Sequence, residues 1–471
     1  MRTNQPGDTG PNQVLVLVTV LLAVLMFPIT LTGASIALPE IRVALHGDLA
    51  AVQWVVNAYN TTFAGFMLAA GGLADILGRR RVFAYGTAIF AAGGLLSAVA
   101  PNLLVLDVLR GLSGIGASAA ATSAIAILAS AFEGPARARA FSLFGTSIGF
   151  GLAFGPSLSS LLMGAMGWQA VFWLPAAVGV GALLLVPVLP ESRNPEAAGV
   201  DWPGTVTFTA GLLLVIAGFV EGPALGWAHP LVLVGFLAGV LLLVVFVLVE
   251  RRVANPMFDF VLLRSPGFLA AATAAATFVM VMVPLLVYFP NYLTAVVGQS
   301  AQGAGGTLIL LTAPILVLPF AASAIARRTS TPWVLRVALG LVGVGTLWLT
   351  TINPGSTPLS LAGPLLAIGA GMGLSTGLVD NMALASAGPG RAGTASGMFG
   401  TSRLAFETIA IAVVGSIIAA GTDGTLAGPG YTDSLRLSLF LLSGVVAAVL
   451  VLFVVLTRSS RRAPQLAEAT A

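Results

Sequence analysis

An all-α membrane protein of fourteen spanning helices is the fold class that three observations predict. Of the 471 residues, 57% are hydrophobic and 8% are charged, whereas a soluble domain carries about 25% charged residues. The mean hydropathy is +1.00, so this composition cannot build a water-soluble shell. Apolar runs of the ~20 residues needed to cross a hydrocarbon layer recur along the whole chain.

The runs fall near 13–36, 50–72, 82–100, 104–131, 138–163 and 169–190, then at a weaker pair near 203–221 and 230–249. Six more lie near 268–292, 303–325, 332–352, 358–386, 393–420 and 435–457. The first run is too long for the apolar core of a cleaved signal, and only Arg2 precedes it, so a retained first helix is expected. Gly and Pro inside the runs suit membrane helices whose neighbours satisfy the freed backbone groups.

An even number of spans puts both ends on one side. The 21 basic residues are all arginines. On that side lie Arg79, Arg80, Arg81, Arg137, Arg139, Arg251, Arg252, Arg327, Arg328 and Arg391, among others, while the opposite loops hold only Arg42 and Arg436. Positive charge stays inside, so cytoplasmic N- and C-termini in a bacterial inner membrane are expected.

Composition also excludes several chemistries. With no cysteine there is no disulfide, thiolate metal site or cysteine nucleophile. The two histidines, His46 and His229, fall in predicted external loops, so neither a metal centre nor a catalytic constellation is expected. The net charge of +4 does not indicate nucleic-acid binding. No Gly-rich nucleotide loop is present, and no cofactor is expected.

An internal repeat divides the chain. Gly134-Pro135-Ala136-Arg137 leads into Phe144-Gly145-Thr146-Ser147, and about 255 residues later Gly388-Pro389-Gly390-Arg391 leads into Phe399-Gly400-Thr401-Ser402. Each copy joins two spans across an inner loop, spans 4–5 and spans 12–13. A shift of eight spans implies six-helix halves, 1–190 and 267–471, separated by two inserted helices within 191–266.

Three motifs carry the remaining information. The loop between spans 2 and 3 reads Gly71-Gly72-Leu73-Ala74-Asp75-Ile76-Leu77-Gly78-Arg79-Arg80-Arg81. Its glycines allow close helix approach. The Asp75 carboxylate can meet a positive helix N-terminus in the other half, and Arg79 and Arg80 can pair with carboxylates or lipid phosphates. Span 4 contains Arg110-Gly111-Leu112-Ser113-Gly114-Ile115-Gly116, and span 5 contains Gly151-Leu152-Ala153-Phe154-Gly155-Pro156. The spacings Gly145-x-x-x-Gly149 and Gly151-x-x-x-Gly155 permit tight helix contact, as expected of surfaces that rock between the halves.

This ordered set resembles the major facilitator superfamily. The loop is similar to its signature G-x-L-a-D-r-x-G-r-r/k, span 4 to R-x-x-q-G-x-g, and Gly151, Gly155 and Pro156 to the antiporter motif. Gln53-Trp54-Val55-Val56-Asn57-Ala58-Tyr59, Gly167-Trp168 and Ser402-Arg403 also resemble the 14-helix drug:proton antiporter branch. The resemblance implies the major facilitator fold, an inner-gate loop at Gly71, Asp75, Gly78, Arg79 and Arg80, and outward movement of amphipathic or cationic drug-like molecules against protons. One departure stands out. Where the branch carries an aspartate in span 1, this chain has Thr30, so a carboxylate there cannot couple protons.

Charge within a span costs about 2.5–3.5 kcal/mol at the helix centre and points to function. The candidates are Asp107, Arg110, Asp380, Arg403 and Glu407. Asp107 precedes Arg110 by three residues and can pair with it. Arg110 also matches the family's span 4 arginine, implicated in coupling. Arg403 and Glu407 repeat this arrangement four apart, and Asp380 can pair with an inner-gate arginine. A paired, permanently ionised Glu407 would be structural; an unpaired one could load and release a proton. Glu407 lies near the middle of its span and ranks first as the proton carrier, ahead of Asp380 and Asp107. The substrate path draws on Thr30, Asn57, Tyr59, Asn291, Tyr292 and Arg403, although such groups also serve as interhelical hydrogen-bonding residues. The expected partners are a small-molecule substrate, protons and the lipid bilayer, with the chain a monomer. A rival reading keeps the fold and exports an endogenous metabolite or lipid without proton coupling. A membrane-embedded enzyme or sensor lacks both a catalytic constellation and a soluble domain.

Overall fold

The computed structural model describes residues 13–132, 134–193, 201–253, 256, 260–386, 392–422 and 428–469. Among them there is no strand, and fifteen α-helices follow one another. They are α1 (Gln13–Ala44), α2 (Leu49–Leu77), α3 (Arg79–Ser97), α4 (Leu103–Ala131), α5 (Gly134–Met166), α6 (Ala170–Leu185), α7 (Trp202–Leu225) and α8 (Pro230–Glu250). Then come α9 (Pro266–Ala295), α10 (Ala301–Arg328), α11 (Thr331–Leu349), α12 (Pro358–Ser375), α13 (Leu378–Ala385), α14 (Ala392–Gly421) and α15 (Pro429–Ala469).

Local sequence sets the boundaries. Side chains of Asp48, Asn102 and Asp201 accept from the backbone N–H groups that open α2, α4 and α7, at 2.8–2.9 Å. Such caps satisfy donors that no turn of helix can reach. Gly78 alone separates α2 from α3, at φ +106°, a conformation that costs glycine little. The run predicted over 358–386 is broken. α12 ends at Ser375 and α13 restarts after Gly377 at φ +76°.

By length and composition, eleven spans among the described residues can cross a membrane, with α12 and α13 counted as one. α2, α3 and α5, of 29, 19 and 33 residues, run beside them with more polar sequences. Large apolar side chains such as Leu231, Leu237, Leu359 and Phe440 are exposed. On a soluble protein such a surface would be a liability; against lipid it is the solvated face.

The packing repeats. α1 lies on α5 and α6, α2 on α4, and α3 on α4 and α6. In the second half α9 lies on α14 and α15, α10 on α12, and α11 on α12 and α15. The halves meet along two reciprocal seams, α2 with α14 and α5 with α10. These pairings are those of two like bundles related by a pseudo-twofold axis. α7 packs against both α2 and α14, and α8 packs against α7. Ala64, Phe208, Leu212, Ile216, Ala405 and Ala412 form the apolar cluster of that junction.

Candidate coupling site at the seam between the halves

In a bilayer, helices gain contact through small residues that let backbones approach. Gly114 does this for α4. A Cβ there would stand 3.1 Å from the Phe63 amide nitrogen, with the Tyr59 carbonyl nearer still. The Thr62 hydroxyl closes the junction by donating to the Gly111 carbonyl at 2.7 Å. This approach carries Arg110 into the first bundle's core, where it is 1% exposed.

Arg110 Nε donates to the Val55 carbonyl at 2.8 Å. Its guanidinium lies 4.3 Å from the Tyr59 ring centroid and 5.5 Å from that of Phe172. The expected Asp107–Arg110 ion pair does not form within 4.0 Å. Asp107 is half-buried on the flank of α4 and its Oδ1 finds no hydrogen-bond partner. The cation is held by aromatic faces instead. Thr30 lines a narrow crevice with Arg110, Phe90, Ser113, Phe172 and Pro175, so the threonine faces the arginine where the branch would offer a carboxylate. Arg110→Lys is expected to lower stability by about 1–3 kcal/mol, because an ammonium neither stacks as a plane nor reproduces the Nε bond. The thermal unfolding midpoint of the purified protein checks this.

In the second bundle Arg403 reaches Asp380 at 3.7 Å across α14 and α13. The expected pairing of Arg403 with Glu407 on its own helix gives way to this one. Asp380 occupies the first turn of α13, where the helix dipole favours a carboxylate; that turn exists because the span breaks at Gly377. Glu407 is 7% exposed and lies within electrostatic range of both Arg403 and Tyr59.

Three contacts fix the register of the α2–α14 seam. Gln53 Oε1 stands 3.3 Å from where a Cβ of Gly415 would be, and Met67 Sδ stands 3.1 Å from the same point on Gly400. Ala64 shares its cluster with Ala405 and Ala412. Positions 53, 57, 60, 64 and 67 recur at spacings of four and three, which is one face of a helix. Running antiparallel in this register, α2 sets Asn57 and Asn60 at the level of residues 407–411. Positions 400, 404, 407 and 411 form the corresponding face of α14. Glu407 therefore sits on the face that meets the other bundle.

The signature loop is tied within its own half. Asp75 accepts from Arg79 at 3.0 Å, while Arg80 pairs with Glu191 beyond α6 at 3.6 Å. The Arg79 amide donates to the Ser192 carbonyl at 2.9 Å. Asp75 thus meets an arginine of the same loop; the segment 387–391 that leads into α14 across the seam lies outside the described residues. Gly78 makes the turn, and Gly71 faces open space rather than a close neighbour.

The two glycine pairs of α5 divide between two surfaces. Gly145 and Gly149 face Thr376 and Ile315 of the second half, but Gly151 and Gly155 face Pro28 and Thr32 of α1. Pro156 follows in α5, and its side chain lies outside the described residues, as do Gly388, Pro389, Gly390 and Arg391 of the second repeat copy. Asn291 donates to the Tyr431 hydroxyl at 3.5 Å, and the Tyr292 and Thr432 hydroxyls are 3.2 Å apart. Both bind α9 to α15 inside one bundle. His229 caps α8 and His46 is an exposed turn residue. Among the described residues no group of three potential metal ligands occurs.

The Major Facilitator Superfamily model matches residues 20–406. The chain belongs to the Major Facilitator Superfamily. Membership makes it a membrane transporter rather than an enzyme. It is 29% identical over 416 residues to the Multidrug resistance protein Stp of Mycobacterium tuberculosis, covering 88% of this chain and 77% of that one. It is also 30% identical over 462 residues to the Puromycin resistance protein pur8 of Streptomyces alboniger, covering 92% and 90%. Among solved structures the POT family transporter PepTSo superposes with a TM-score of 0.66 at 15% identity, over 97% of this chain and 99% of that one.

Within this facilitator fold, Asn60, Tyr288 and Gly415 join the seam without having stood out in the sequence, and Gln53, noted there only as part of a resembling segment, joins them. The Tyr288 hydroxyl donates to the Ile411 carbonyl at 3.0 Å and fills the place that a Gly415 side chain would take. The four-three spacing on α2 was the available signal.

Proposed function

We propose that this facilitator is a proton-coupled exporter of amphipathic or cationic drug-like molecules. The bundles 1–190 and 267–471 rock about the seams, with 191–266 inserted between them. The chain acts as a monomer in the bacterial inner membrane with both termini cytoplasmic. The observation that carries the reading is Glu407, a carboxyl buried on the α14 face that meets α2. When ionised it faces a half whose Arg110 cation forms no ion pair within 4.0 Å and is held by aromatic faces, and a charge in such a place biases one arrangement of the halves over the other. When neutral it releases that bias. The relatives named for drug and antibiotic resistance support the choice of cargo.

Reconstituted in proteoliposomes, the protein is expected to move a fluorescent amphiphilic cation from its cytoplasmic face toward an acidic exterior. One proton exchanged per cargo yields about tenfold accumulation per pH unit, since each unit is worth about 1.4 kcal/mol. Thr30 supports a second reading, a facilitator that needs no proton. Uptake that stops at equal concentrations whatever the gradient would select it.

A further inference from the structure

The α2 face that meets α14 carries Gln53, Asn57 and Asn60, exposed by 3%, 0% and 1%. Gln53 Oε1, both amide atoms of Asn57 and Asn60 Nδ2 have no hydrogen-bond partner. Such orphaned groups are rare in folded proteins and expensive without water. Three of them on one helix face, at positions 53, 57 and 60, make a strip rather than an accident of one side chain. The seam they occupy is one of the two along which the halves must part. Once it opens, the strip borders the passage at the level of Glu407.

We propose that Gln53, Asn57 and Asn60 form a hydrogen-bonding strip for the cargo, one that takes amine, hydroxyl or amide groups of an amphipathic molecule. The strip deepens the exporter reading and rests on it. Oriented carboxamides accept an N–H or O–H and donate to a carbonyl, so they recover on binding what the closed seam withholds. They select for polar decoration on an apolar skeleton, which a purely greasy pocket would ignore.

Equilibrium binding to the protein in nanodiscs tests this with two dyes of one skeleton. Ethidium carries two aryl amines, and 5-ethyl-6-phenylphenanthridinium is the same cation without them. The wild-type chain is expected to prefer ethidium by about tenfold, and Asn57→Leu to reduce that preference to about twofold or less. The unfolding midpoint of Asn57→Leu should equal or exceed that of the wild type, because an orphaned amide is replaced by a side chain of similar size. Asn60→Leu is expected to behave alike. Equal binding of the two dyes, absence of binding, or an undiminished preference in the variants would overturn the proposal. So would a lowered midpoint or failure to fold, since that would show the carboxamide already satisfied inside the protein. No pH gradient enters this measurement, so its outcome is separate from that of the proton-coupling assay.

Discussion

Glu407→Gln is expected to abolish accumulation driven by a pH gradient while leaving equilibrating exchange of cargo intact. Glutamine keeps the size of the protonated acid and its hydrogen-bonding capacity, so packing against α2 should survive. It cannot cycle between neutral and ionised forms, and the cargo then cannot be driven above its equal-concentration limit. In proteoliposomes with a gradient of two pH units, an intact one-to-one exchanger would reach about a hundredfold accumulation, and the variant should remain near onefold. Asp380→Asn is the comparison. Asp380 is tied to Arg403 at 3.7 Å at the start of α13, so its loss should lower stability or rate more than coupling. Full accumulation by Glu407→Gln, or its loss in Asp380→Asn alone, would move the proton to the other carboxyl.

The second large effect is expected at Gly415. The Tyr288 hydroxyl and Gln53 Oε1 crowd the place where a side chain would begin, and Gln53 belongs to the opposite half. Tyr288 shares a bundle with Gly415 and is met in either arrangement, so it costs Gly415→Leu stability throughout. The Gln53 contact, by contrast, penalises only the arrangement in which α2 and α14 meet at that end and spares the one in which they are apart. Overpacking of about 1–3 kcal/mol shifts such an equilibrium by about 5- to 150-fold. The chain has no cysteine of its own, so a single Ile411→Cys, at a position 1% exposed on the α14 face that meets α2, reports on that seam. Labelling by a membrane-impermeant maleimide from the outer face should accelerate at least about tenfold in Gly415→Leu, and transport should slow. An unchanged labelling rate would mean that the end opens by some other movement.

Much of this architecture can be read from the sequence because lipid leaves the backbone few options. A segment that crosses must be helical, long and apolar, and those runs are visible without knowing any neighbour. The repeat and the signature loop are equally local. What escaped depends on which helix faces which. Spacing along one helix matches Arg403 to Glu407, but its partner Asp380 lies 23 positions earlier on a separate short helix (403 − 380). The break that creates this short helix sits at Gly377, in a region so rich in glycine that no single one marks a turn. Gly145 and Gly151 are six residues apart, about 240° around the helix axis, so the two pairs in α5 cannot serve one surface. Gln53 and Asn60 acquire meaning only once α14 is known to lie against them.

The placement of α7 and α8 has a consequence for how oily cargo could enter. The inserted hairpin shields the α2–α14 side of the molecule, whereas α5 and α10 meet with no inserted helix among the described residues beside them. A door with one jamb boarded over admits traffic only at the other. Molecules already dissolved in a leaflet would reach the interior sideways between α5 and α10, past the paired glycines Gly145 and Gly149, and the two flanks of this pseudo-symmetric machine would not be interchangeable.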